Sequence, residues 1–569
     1  MPSAEKLRST AADAVGSTPV NIAERLMQTA ARLPQQEAII TQRRSRRGSF
    51  RYDAISFEAL ASDVRRLSVG LQDLGVSSGQ RMVLMVKPSI DFVALTFALF
   101  RVGAVTVLID PGMGKDNLLD CLEAVRPDGF VAIPLAQAAR VLHKSRFPKA
   151  RLNVTVGRRW FWGGATINQL RRSDEHEAMS HRTDVDDPAA IIFTTGSTGP
   201  PKGVLYTHGN FEAQVDQIRD RYDITPGGVD LAGFPLFGLF NGAMGTTTVI
   251  PDMDASKPAS VNPENIVHAI QELGCTQSFA SPAVWNVVGR HCDEWGVELP
   301  TLQRVLSAGA PVPVDVIRRL KRTIHPQGEI YTPYGATESL PVASIAGGAV
   351  LRETGHATSE GAGTCVGSRF REIDWRVIEI SDGPLKQIDE TRQLERGQIG
   401  ELIVSGPQVT SRYVTREEQN AYHKISDGDR FWHRLGDVGY LDDQDRFWFC
   451  GRKAHRVITK EGTMYTVRCE AIANGHRSIY RSALVGIGPD LAQIPVMICE
   501  PLKEAWPRTE SQRQQLCDEL FDKLQSHELT STIQRKHVLL RQALPVDIRH
   551  NAKIFREKLA IWAGTQPFV

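Results

Sequence analysis

The sequence has almost no charge imbalance and no clustered thiol or metal chemistry. Lys and Arg number 67 against 65 Asp and Glu, a formal net charge of +2. That balance argues against a nucleic-acid partner, and no long block of one sign forms an interaction tail. The cysteines stand at 121, 275, 292, 365, 450, 469, 499 and 517, too far apart for a metal knuckle or a redox pair. They read as small buried hydrophobes of a reducing, cytoplasmic compartment. Met1 to Val15 lacks the apolar core of a signal peptide and the arginine-rich pattern of a transit peptide. Short-period repeats and low-complexity tracts are also missing. One apolar run, Phe92 to Ile109, approaches the length of a membrane span, but Arg101 and Gly103 interrupt it. Phe92–Phe100 predicts a buried helix and Ala104–Ile109 a buried strand, stopped by Asp110-Pro111-Gly112, so no transmembrane segment is expected.

What is present is alternation. Leu60, Val64, Leu67, Leu71 and Leu74 recur at helical spacing, and Arg81–Val86 follows as a strand. Repeated along 569 residues, too many for one core, this predicts an α/β fold with largely parallel sheets and more than one domain. Strands at Ser482–Gly488 and Ile494–Cys499 and a helix at Glu510–Gln525 suffice for a small C-terminal domain. Thr354–Cys365, rich in small residues and aperiodic, is expected to be a surface excursion. Arg43, Arg44, Arg46 and Arg47 predict a solvated loop or hairpin tip, with a docking patch for a membrane or partner as the alternative.

The most informative segment is Thr194-Thr195-Gly196-Ser197-Thr198-Gly199-Pro200-Pro201-Lys202-Gly203, which follows the apolar strand Ala189–Phe193. Glycines let backbone N–H groups approach phosphate, hydroxyls add short donors, and Lys202 adds a point charge. It is not a Walker loop, because the lysine is followed by Gly203. With Val204–His208 it resembles the phosphate loop of the adenylate-forming superfamily, which includes acyl-CoA synthetases, luciferases and peptide-synthetase adenylation domains. Further motifs follow in that family's order: Ser307-Ala308-Gly309-Ala310-Pro311, Tyr334-Gly335-Ala336-Thr337-Glu338, Leu435-Gly436-Asp437, Gly451-Arg452, and Pro545 shortly before Ala552-Lys553-Ile554.

The resemblance implies a large N-terminal domain of stacked, mostly parallel sheets flanked by helices, residues 1–452. It also implies a small mobile α+β domain, 453–569. Thr194, Gly196, Ser197, Thr198, Gly199, Gly309, Ala310, Pro311, Tyr334, Gly335, Thr337, Asp437 and Arg452 would bind ATP. Glu338 and Thr195 would hold Mg²⁺, and with Lys202 and Lys553 they form the expected catalytic set. Carboxylates plus phosphate oxygens suit Mg²⁺, and a lysine can stabilise charge developing at the α-phosphate.

Several positions depart from the pattern. Phe237 is followed by Gly238, expected to leave a void in the acyl site. Ala454 replaces the usual hinge Asp or Lys, and Ile458 or Thr459 stands where a lysine is often found. Overall the sequence resembles the β-lactone synthetases of bacterial long-chain olefin biosynthesis. That likeness implies a 2-alkyl-3-hydroxy fatty acid as substrate, adenylated and then closed by its own hydroxyl to a cis-type β-lactone. Phe237, Gly238, Gly242 and Ala336 would line the acyl pocket, and an assembly with neighbouring pathway enzymes is implied. The alternatives are a long-chain fatty acyl-CoA ligase and a non-catalytic nucleotide-binding protein. No general base is identified; His433 and His455 are candidates by their closeness to motif residues.

Overall fold

The computed structural model describes residues 20–174, 180–194, 199–234, 236, 238–546 and 553–566. Among these, residues 81–207 build a 7-stranded sheet. Its centre is parallel: Arg81–Met85 lies between Val105–Leu108 and Gly129–Ala132, and Pro188–Phe193 pairs with Val105–Leu108. Val105–Leu108 and Gly129–Ala132 are buried along their whole length, the signature of strands covered on both faces. The apolar run at 92–109 resolves as expected into the helix Ile90–Arg101 and the strand Val105–Leu108. Ser89 Oγ accepts the Phe92 N–H at 3.2 Å to start the helix, and Gly103 ends it at φ +73°. No helix among the described residues is long and apolar enough to cross a membrane.

A 14-stranded sheet carries most of the remainder. Glu37–Arg44, Thr247–Ile250, Val229–Ala232, Gln277–Ala280, Arg304–Ser307 and Glu329–Ala336 run parallel, and from Ser339 onward the pairing is antiparallel. One apolar core joins both sheets. The arginine cluster is a hairpin tip. Glu37–Arg44 pairs antiparallel with Phe50–Ser56, Arg43 sits 3.3 Å from Asp53, Arg44 sits 2.7 Å from Glu264, and Arg46 and Arg47 are exposed.

Beyond Arg452, Ile479–Ile487 and Ile494–Pro501 pair antiparallel, Val538–Leu540 adds in parallel, and the helix Glu510–Gln525 packs beside them. Two apolar clusters here draw only on residues between Val457 and Ala563. All eight cysteines are free and buried.

One expectation is overturned. Residues 354–365 are not a surface excursion. Thr354 and Cys365 are buried, Gly355–Ser359 is helical, and Thr354, Gly355, Thr358 and Ser359 line the large cleft. Most of its small residues are packed, and His356, Ser359 and Glu360 are exposed.

Candidate active site

Pro188–Phe193 and Gly203–Thr207 form a hairpin with Phe193 opposite Gly203. Thr194 and Lys202, at its open end, stand at the C-terminal edge of the parallel strands, where ligands of open α/β sheets collect. The two residues are clamped together: Thr194 N–H donates to Lys202 O at 3.0 Å, and Lys202 N–H donates to Thr194 Oγ1 at 3.0 Å. Thr195, Gly196, Ser197 and Thr198 lie outside the described residues.

The hairpin opens on a cleft of about 2540 Å³. Thr194, Gly199, Lys202, Gly309, Ala310, Pro311, Tyr334, Gly335, Thr337, Glu338, Asp437, Arg452 and Lys553 all line it. Thr337 and Glu338 form the turn between the antiparallel strands Glu329–Ala336 and Ser339–Ala346. Gly309, at φ +94°, turns the chain after Arg304–Ser307.

Lys202 is held on three sides. Its Nζ lies 4.6 Å over the Tyr413 ring and 3.1 Å from His423 Nε2, and Glu338 attracts it through space. Burial is the main influence on its pKa and lowers it. His423 Nδ1 faces the carbonyl of Arg434 at 3.3 Å, so it must donate there. The Nε2 lone pair therefore accepts from Lys202, and His423 is neutral; burial pulls its pKa down to about 4. His433, also buried, donates Nδ1–H to His423 O at 3.1 Å. Tyr413 Oη donates to Glu338 Oε1 at 2.7 Å, fixing that carboxylate.

On the opposite wall, Tyr334 Oη donates to Asp437 Oδ2, and Arg452 Nη1 stands 2.9 Å from Asp437 Oδ1. Burial raises the Asp437 pKa, and Arg452 and Tyr334 oppose that shift. Behind this wall lies a buried charge triad. Glu401 Oε2 takes Arg434 at 2.6 Å and Lys453 at 3.0 Å, with Arg434 and Glu401 each only 1% exposed. Lys453 is therefore tied to the large unit immediately after Arg452. His455, the other histidine candidate, is 3.2 Å from Glu557, and burial lowers its pKa to about 4.

The acyl-pocket expectation needs correction. Ala336 lines the cleft, but Gly238 and Gly242 do not. A Cβ at Gly238 would meet Thr248 Cγ2 at 2.9 Å and Ala232 Cβ at 3.3 Å, so no void exists there. At Gly242 it would meet Leu26 Cδ1 at 3.4 Å. Gly238 thus lets the helix Gly238–Met244 pack closely, whereas a side chain at Gly242 would make ordinary contact with Leu26 and Phe97. Phe237 lies outside the described residues. Phe234, Leu236, Phe240, Phe279 and Leu340 line the same cleft as Ala336.

The AMP-binding enzyme family matches residues 26–414. The chain belongs to the AMP-binding enzyme family. It is 44% identical over 559 residues to an olefin beta-lactone synthetase of Stenotrophomonas maltophilia, covering 96% of this chain and 99% of that protein. It is 43% identical over 563 residues to an olefin beta-lactone synthetase of Xanthomonas campestris pv. campestris, covering 97% and 98%. Its fold matches ATP-bound MatB from Rhodopseudomonas palustris with a TM-score of 0.76 at 20% identity, over 96% of this chain and 99% of that one.

For an AMP-binding enzyme of this kind, motif order finds the cleft lining but misses what steadies it. Tyr413, His423, Glu401 and Arg434 carry no motif of their own. The one local signal was His433, two residues before Leu435-Gly436-Asp437.

Proposed function

We propose that this AMP-binding enzyme transfers AMP from ATP to the carboxylate of a 2-alkyl-3-hydroxy fatty acid, then closes the acyl-adenylate to a cis-type β-lactone. The observation that carries the reading is likeness along nearly the whole chain to two olefin beta-lactone synthetases. The cleft supports it by gathering Lys202, Glu338, Asp437, Arg452 and Lys553. Asp437 would accept ribose hydroxyls, with Arg452 balancing its charge. Lys202, aimed by Tyr413 and His423, would contact the triphosphate. Lys553, in the segment after 547–552, would steady negative charge at the α-phosphate as the carboxylate attacks and pyrophosphate leaves.

Mg²⁺ fits as a companion of the nucleotide. Among the described residues there is no cluster of three His, Cys, Asp or Glu groups to hold a resident ion. Glu338, fixed through one oxygen by Tyr413, supplies the single carboxylate that phosphate-bound Mg²⁺ commonly takes. Bound there, Mg²⁺ would neutralise charge on the triphosphate. Thr195, the other expected ligand, lies outside the described residues.

In the second step the substrate's 3-hydroxyl oxygen bonds to the acyl carbon and gives up its proton to solvent, the acyl–phosphate C–O bond breaks, and AMP departs with its electron pair. The nucleophile is tethered, so no second substrate has to be admitted. The small C-terminal domain would move between the two steps, pivoting after Lys453, which Glu401 holds to the large one. The apolar cleft walls suit long alkyl chains. Neighbouring enzymes would supply the acid and consume the lactone, and eight free buried thiols suit a reducing cytoplasm.

Incubation with ATP, Mg²⁺ and a 2-alkyl-3-hydroxy acid without CoA tests the reading. A neutral product lighter by one water is expected. Turnover that requires CoA and yields a thioester would replace it with the long-chain fatty acyl-CoA ligase.

A further inference from the structure

One face beside the cleft is exposed, apolar and basic at once. The helix Pro134–Leu142 follows the strand Gly129–Ala132, and residues 157–164 follow the neighbouring strand Leu152–Thr155. Both segments leave the sheet at the edge that carries the 194–203 hairpin. They lie side by side, since a Cβ at Gly157 would sit 3.7 Å from the Pro134 ring. The helix turns Leu135, Ala139 and Leu142 outward at i, i+4 and i+7, with Leu135 73% and Leu142 79% exposed. Trp160 is 53% and Phe161 75% exposed.

The aromatic tip is built, not loose. Trp162 is buried and donates Nε1–H to Thr155 Oγ1 at 2.9 Å. Its ring supports Trp160 at 5.3 Å and Phe161 at 5.1 Å between centroids. Gly164 admits no side chain there, since a Cβ would lie 2.4 Å from Asn153 O. Charge follows the same pattern. Between Asp128 and Asp174 every Asp, Glu, Lys or Arg position is Lys or Arg; Arg158 and Arg159 are exposed on the 157–164 segment, and Lys144 is exposed just beyond the end of the helix.

Aromatic and leucine tips set among cations match the headgroup boundary of an anionic bilayer, where rings and aliphatics enter and guanidinium groups meet phosphate. We propose that this face, the helix Pro134–Leu142 with the tip at Arg158–Trp162, docks the enzyme on an anionic lipid surface. Leu135, Ala136 and Ala139 also line the cleft, so the docked face is continuous with the cavity wall. A water-insoluble acid could then enter from the bilayer without crossing solvent. Docking itself does not depend on which acid is activated or on lactone closure.

The test is flotation of the full-length protein with vesicles, without substrate. Binding is expected on phosphatidylethanolamine vesicles containing phosphatidylglycerol and not on neutral phosphatidylcholine. Arg158→Gln and Arg159→Gln should each weaken it roughly fivefold. Brominated lipid should quench tryptophan emission, and Trp160→Phe should remove that quenching. Trp160→Ser with Phe161→Ser should abolish flotation while ATP–pyrophosphate exchange with a soluble short-chain acid stays unchanged. Failure to float, equal flotation on neutral vesicles, or flotation unmoved by these substitutions would overturn the proposal. So would substitutions that break a self-associated or protein-bound form while leaving vesicle binding intact.

Discussion

Replacing His423 by Phe tests the arrangement around Lys202. The substitution keeps a ring and removes the Nε2 acceptor that Lys202 meets at 3.1 Å. The Tyr413 ring face, 4.6 Å from Nζ, remains. A hydrogen bond to a charged group contributes about 1.5–3 kcal/mol, which corresponds to roughly ten- to a hundredfold in rate if it steadies the ammonium in the transition state. The loss should be read by ATP–pyrophosphate exchange, which reports adenylation alone. The pH dependence has a definite sign. Burial already lowers the Lys202 pKa, and removing an acceptor that binds the charged form more strongly than the neutral amine lowers it further. The variant's Lys202 therefore loses its proton at lower pH than the wild type's, so the deficit is smaller in acid and grows as pH rises. His423→Gln, which restores an acceptor, should recover part of the rate. Exchange within twofold of wild type, or a ratio flat with pH, would refute the reasoning.

Glu401→Gln leaves Arg434 and Lys453 facing a neutral amide in a buried site. It should destabilise the fold by about 3–5 kcal/mol, measured by denaturant unfolding. Gly238→Ala should destabilise by about 1–3 kcal/mol through contact with Thr248, with the KM for the acid unchanged; a raised KM would return that glycine to the acyl pocket. Lys553→Ala should lower pyrophosphate exchange by about a hundredfold or more, and intact exchange would remove Lys553 from the adenylation step.

The legible part of the molecule was what short-range chemistry specifies. The helix Glu510–Gln525 announces its start, with Thr509 and Gln512 forming a capping box there. The helix–strand boundary near Gly103 depends on one residue's left-handed backbone. The cleft residues in motifs were legible because glycine-rich turns and hairpin tips put their chemistry at fixed offsets. Partners converging from distant strands were not. His423 and Lys202 meet across 221 residues of sequence, and Tyr413 reaches Glu338 across 75, with no periodicity to mark either pairing. Gly238 misled for the complementary reason. A glycine shows that a side chain is missing but not what fills the space, and here Thr248 and Ala232 do.

The buried cysteines give the molecule an internal clock. Burial pushes the thiols of Cys121, Cys292 and Cys365 up to about 11 and those of Cys450 and Cys469 up to about 12. A thiol reagent must therefore wait for a breathing motion that exposes the sulfur and lets it ionise. Five of these reporters precede Arg452 and three follow it. Peptide-resolved alkylation rates would thus time the opening of each part of the chain separately, in the unmodified enzyme, and show whether nucleotide slows one part more than the other.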